Sequence, residues 1–175
     1  AKMNSLLDKG IIEKLYEASQ AGVKIELIVR GICVLIPGIP GVSDNITVRS
    51  IVGRFLEHSR IFWFRNGGRE ELYVSSADWM PRNLNDRVEL MVPIEDPEIK
   101  RRLKQMVDIE LSDNQKAHIM QADGTWLKTI SAENQLCAQE YFQKIAEKRD
   151  AEDEMTLAQK LEPYTPVLGH GDGSD

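Results

Sequence analysis

The stretch from Asp8 to Val29 does most to limit what this chain can become. Ile11, Ile12, Leu15, Tyr16 and Ser19 recur at helical spacing on one stripe, and Gly22 stands where a glycine ends a helix. Val23, Ile25, Leu27 and Val29 follow at once, alternating with Lys24 and Glu26 before the pattern turns wholly apolar. That is the period of a strand that goes on to be covered on both faces. A one-sided helix feeding such a strand points to the α/β class, with a mixed β-sheet flanked by helices. Arg30 then falls at the strand's C-terminal end, the edge at which open α/β sheets bind ligands.

Further along, Pro37-Gly-Ile-Pro40-Gly with Val42 to Asn45 is a loop signal too apolar for a flexible linker, read as an ordered loop near the active site. The spacing of Ile51, Val52, Phe55 and Leu56 predicts a short helix ending near Ser59. Ile61–Phe64 and Glu71–Ser75 flank Asn66-Gly67-Gly68 and predict a hairpin, which brings His58 and Ser76 to one sheet edge. A strand is expected over Arg87–Ile94 and a helix from Pro97 to about Val107. A second hairpin is expected around Asp123-Gly124, and a helix over Glu133–Arg149.

One segment stands out chemically. Between Arg49 and Arg87 all seven basic residues are arginines, with a single histidine, His58, among them and a Ser75-Ser76-Ala77-Asp78 turn just after the hairpin. Guanidinium forks match phosphate oxygens bidentately, and an imidazole carries a proton near neutral pH. The alternative is a solvated face with these arginines paired to Glu57, Glu70, Glu71 or Asp86. The net charge of -6 speaks against a polyanion partner only if charge is spread evenly, which it is not.

The strings Ala1–Leu6, Glu17–Ile25, Leu27–Cys33, Arg54–Ile61 and Ser76–Leu84 together resemble the last domain of bacterial polyphosphate kinase, a likeness that runs from Lys2 to about Glu147. The resemblance implies a phospholipase D-like half and an enzyme that reversibly moves the terminal phosphate of ATP onto polyphosphate through a phosphohistidine. The phosphorylated histidine of that family lies in an earlier domain. By resemblance, His58 is the second active-site histidine and Arg30 a nucleotide-phosphate contact, with Arg60, Ser76 and Asp78 completing the phosphate side. Magnesium is implied for the intact enzyme, its binding residues lying in the earlier domain, so no metal ligand is assigned here. Two departures from phospholipase D patterns appear: Arg65 stands where phospholipases have an aspartate, and Ser75 replaces the family's turn glycine.

These readings give residues 1–149 as the phospholipase D-like domain and 150–175 as an acidic, Pro/Gly-containing tail. The start at Ala1 reads as an excised piece, one expected to be inactive alone. ATP or ADP, polyphosphate and the enzyme's N-terminal domains are the expected partners, within a homo-oligomer and with no specific nucleic acid. With no transmembrane or secretory segment, the cytoplasm is the expected compartment, including the inner-membrane surface. A nuclease-like phosphodiesterase half and a non-catalytic polyanion-binding module are the competing functions. Cys33 and Cys137 read as reduced thiols, His118 and His170 as non-catalytic, and Trp63 and Trp126 as core; Trp79 stays open between core packing and base stacking.

Overall fold

The computed structural model describes residues 1–160, with side chains to residue 150. Eight strands form one mixed sheet: β1 (Lys2–Met3), β2 (Ile25–Val29), β3 (Ile46–Ile51), β4 (Ile61–Phe64), β5 (Glu71–Ser75), β6 (Met91–Pro93), β7 (Ala117–Met120) and β8 (Trp126–Lys128). Their order is β6-β5-β4-β1-β2-β3-β7-β8. The central three, β1, β2 and β3, run parallel, and the outer pairs are antiparallel. The mixed sheet flanked by helices is therefore present, as the sequence indicated.

Register explains how the two faces are built. Met3 lies beside Val29 and Leu27 beside Val48, and with Leu6 and Phe62 these residues form the main core. Helix α1 (Lys9–Gln20) covers that face with Ile11, Ile12, Leu15 and Tyr16. Asp8 caps it, Oδ1 accepting from Ile11 N at 2.9 Å, and Gly22 leaves it with φ 86°, a conformation that suits glycine. The opposite face carries the other parity, Ile61, Lys2, Ile28 and Arg49 in one row. Helix α3 (Pro97–Leu111) meets this face through Glu110, whose carboxylate takes Lys2 and whose carbonyl takes Arg49 Nη1 at 3.3 Å.

Both hairpins appear where expected, β4 with β5 and β7 with β8. Other expectations need correction. The helix over 51–59 is absent: Ile46–Ile51 is strand β3, with Ile46, Val48 and Ser50 buried on one side of it, and 52–60 is irregular chain. The Pro37–Asn45 loop is ordered but stands at the far edge from Arg30. Gly41 O accepts from Gln20 at the end of α1, and Asn45 O accepts from Ile25 N at the start of β2. Only Met91–Pro93 of the expected Arg87–Ile94 strand forms, after a short helix α2 (Pro81–Asn85) that proline opens. Helix α3 runs on to Leu111, and helix α4 (Ala138–Lys160) starts after Glu133, beyond a left-handed Asn134 at φ 49°.

The chain divides after Gln139 into two compact units. The expected Pro163–Pro166 stretch and His170 lie outside the described residues. Among the described residues no helix is long and apolar enough to cross a membrane.

Candidate phosphate site at the sheet edge

Three strand ends place the candidate residues. Lys2 pairs with Ile28 and with Ile61, and Ile61 pairs with Val74, so these positions are level across four strands. Two residues beyond Ile28 is Arg30, three before Ile61 is His58, and two beyond Val74 is Ser76. All three stand at the same sheet edge. With neighbouring strands about 4.8 Å apart, β4 and β5 are adjacent, while Arg30 on β2 lies about 10 Å from the line of β4. Arg30 is half-buried in a recess walled by residues 51–56. His58 and Ser76 share the sheet edge with Arg30 without lining that recess.

The side chain of His58 is exposed, and its backbone is held: Arg60 Nη1 donates to His58 O at 2.9 Å. The rest of the Arg60 fork clasps Asp78, Nε to Oδ1 and Nη2 to Oδ2, each 3.1 Å. Asp78 is buried and also takes Asn4 N at 2.7 Å and Asn4 Nδ2 at 3.2 Å. Burial alone would raise the Asp78 carboxyl, but the Arg60 fork and the Asn4 donors outweigh it and hold the group below the usual carboxylate range. Asp78 therefore reaches His58 through Arg60. Ser76 Oγ donates to Glu89 and accepts from Leu90 N at 3.0 Å, and Ser75 Oγ accepts from Ala77 N at 3.0 Å. The serine at the family's glycine position thus serves the turn itself, without a left-handed backbone.

A family model described as polyphosphate kinase C-terminal domain 2 matches residues 1–139. The chain belongs to this family. It is 56% identical to the polyphosphate kinase of Synechocystis sp. over 151 residues, covering 84% of the chain and 21% of that protein. With the enzyme of Pseudomonas aeruginosa it shares 57% over 135 residues, 77% of the chain and 20% of the relative. The crystal structure of polyphosphate kinase from Porphyromonas gingivalis superposes with a TM-score of 0.81 at 43% identity, over 86% of this chain and 23% of that one. The chain thus spans about a fifth of the length of the curated relatives it matches, and its fold is the phospholipase D-like fold of a polyphosphate kinase C-terminal domain.

In this polyphosphate kinase domain the aromatic residues near the site serve packing. Trp79 stacks on the buried Phe62, centroids 4.9 Å apart and planes within 7°, which gives it a core contact on that ring face. Trp63 is half-buried with Lys104 5.4 Å above its ring, and Trp126 packs against the core. His118 sits opposite Ser50 within the sheet, and burial pushes the Cys33 thiol up to about 11, which leaves it unreactive. Of the seven arginines, Arg60 alone forms an ion pair among the described residues, so the alternative pairing with Glu57, Glu70, Glu71 or Asp86 does not form. Among the described residues no three His, Cys, Asp or Glu side chains are grouped to hold a metal ion.

Glu57, next to His58, has a partner that sequence reasoning missed. Lys2 Nζ lies 2.6 Å from Glu57 Oε2 and also bonds Glu110; Lys2 and Glu110 are both buried. One ammonium faces two carboxylates, and the two respond differently. Burial works to raise Glu57, but Lys2 and Gln139 win and lower it. Burial raises Glu110 to about 7, with Lys2 opposing and Glu57 adding to the rise. Among the described residues Glu110 Oε2 has no hydrogen-bond partner.

The sign of the pH dependence follows. The folded chain holds the Glu110 proton up to about pH 7, whereas an unfolded glutamate loses it near 4.5. Stability contributed by Glu110 is therefore complete below the unfolded value and falls as pH rises through 7, by about 3 kcal/mol across the window. Burial lowers the Ala1 amino group to about 6, which acts with the opposite sign in this window, so the Glu110 part is read by comparing wild type with Glu110→Gln by denaturant unfolding at pH 5 and pH 8: the variant should lose the fall that Glu110 contributes. A variant whose stability changes between pH 5 and pH 8 as the wild type's does would refute the assignment.

Proposed function

We propose that this domain works within an enzyme that reversibly transfers the terminal phosphate of ATP to polyphosphate through a phosphohistidine formed on another domain. The observation that carries the reading is the family match over residues 1–139, on a fold whose sheet edge gathers Arg30, His58 and Ser76. In this reading Arg30 clamps nucleotide phosphates. His58 donates or accepts the proton that the leaving or attacking phosphate oxygen needs. Arg60, aimed by Asp78, stabilises negative charge developing on the transferred group, and Ser76 lines the phosphate side. Magnesium is bound by other parts of the enzyme. The whole assembles as a homo-oligomer in the cytoplasm or on its membrane face, with residues 1–149 as the phospholipase D-like part.

The test compares this chain with the full-length enzyme. The chain alone should show no synthesis of polyphosphate from ATP, and it should bind ATP or polyphosphate weakly, with affinity falling steeply between low and physiological salt as counterions screen the arginines. Net synthesis by the chain alone, or affinity indifferent to salt, would overturn the reading.

A further inference from the structure

Residues 52–60 have no regular secondary structure, and their apolar side chains do not anchor them: Val52, Phe55 and Leu56 are 61%, 45% and 77% exposed. What fixes this segment must be polar. Much of it comes from one residue, Gln139, the second of helix α4 and only 5% exposed. Its Oε1 accepts from Phe55 N at 3.0 Å, while its Nε2 donates to Phe55 O at 2.8 Å and to Glu57 Oε1 at 2.9 Å. The amide thus pairs with both backbone groups of one residue, as a neighbouring strand would, and with the carboxylate of the residue just before His58.

The surroundings are shaped for that contact. A Cβ on Gly53 would stand 2.4 Å from Gln139 Oε1, so the chain passes the amide at a distance only glycine allows. Gln139 is itself held from behind. Ala138 N donates to Asp113 Oδ2 at 2.8 Å, and Asp113 Oδ1 takes the backbone N–H groups of Gln115, Lys116 and Ala117 at the start of β7. On the other side of His58, Arg60 returns to the histidine carbonyl. The histidine is therefore braced by polar bonds upstream and downstream, while its ring stays exposed.

We propose that Gln139 is a positioning residue for His58: it sets the height and direction from which the imidazole meets a phosphate. The inference rests on the role given to His58 above. Misplacing a reacting group by about an ångström costs on the order of a hundredfold in rate, and loss of a residue that orients one costs ten- to a hundredfold. Arg30 lies in a recess walled by residues 51–56, part of the same segment, so the contribution of Gln139 through His58 is read from the coupling of their effects on kcat.

The experiment is a kinetic double-mutant cycle in full-length polyphosphate kinase, with ATP and polyphosphate as substrates. Gln139→Ala should lower kcat by about ten- to a hundredfold. Gly53→Ala keeps Gln139 intact but displaces its amide, and it should act in the same direction; it carries the cycle if Gln139→Ala does not fold. In a His58→Ala background either change should cost less than about twofold, because the residue it positions is gone. Full additivity, or wild-type kcat in both single variants, would refute the proposal while leaving His58's role intact. Wild-type turnover in His58→Ala alone would remove that role and this inference with it.

Discussion

Replacing His58 by alanine in full-length polyphosphate kinase is expected to lower turnover by about two to four orders of magnitude, the usual worth of a positioned general acid or base. The side chain is exposed and its backbone contact with Arg60 survives the change, so stability should move by no more than about 0.5 kcal/mol. A large kinetic loss without a stability loss would separate chemistry from packing. The variant should still form a phosphohistidine on the other domain, at a reduced rate, because His58 is read as a proton carrier and not as the phosphate carrier. Trapping labelled phosphate on His58 itself would reverse that assignment. An unchanged rate would remove His58 from the chemistry.

Why the sheet edge that carries His58 could be read from sequence while the bonds of Gln139 and Lys2 to the 52–60 segment could not is a matter of distance along the chain. The α1 stripe, the Asn66-Gly67-Gly68 turn and the strands on either side of it are local patterns, each satisfied by residues within a few positions. They place Arg30, His58 and Ser76 at one sheet edge, where the register puts them. The 52–60 segment is different. Ile51, Val52, Phe55 and Leu56 fit a helical stripe, yet three of those four side chains are exposed. The conformation is imposed by Gln139, Lys2 and Asp78, up to 84 residues away. Tertiary polar bonds overrode a local apolar spacing, and such bonds leave no period to read. The same holds for Pro37–Asn45: its order was legible, but its place at the far edge was set by Gln20 and Ile25. Asp78 was read from sequence as a phosphate-side residue that either orients His58 or caps the Trp79 turn, and its bonds in the fold go to Asn4 and Arg60.

Asp78→Ala is expected to cost about 3–5 kcal/mol of stability, the largest single loss anticipated in this chain. The ion pair is largely out of water, with Arg60 and Asp78 side chains 12% and 7% exposed, and removing the carboxylate strands a guanidinium along with Asn4 N. Because the Asp78 carboxyl is held below its ordinary value, its contribution is present above the unfolded pKa near 4 and is lost as pH falls through the lower folded one. Acid therefore weakens this brace, while rising pH weakens the Glu110 site, and the two windows do not overlap. Pairing geometry makes a further demand. If the loss in Asp78→Ala is mostly the stranded charge, adding Arg60→Met should restore part of it, so the double variant should be more stable than Asp78→Ala alone. Its turnover should stay low, since Arg60 supplies both a cation and the bond to the His58 carbonyl. Denaturant unfolding of the two single variants and the double variant decides the point. Strictly additive losses would mean that Arg60 and Asp78 stabilise the fold independently, and the account of Asp78 acting on His58 through Arg60 would fail.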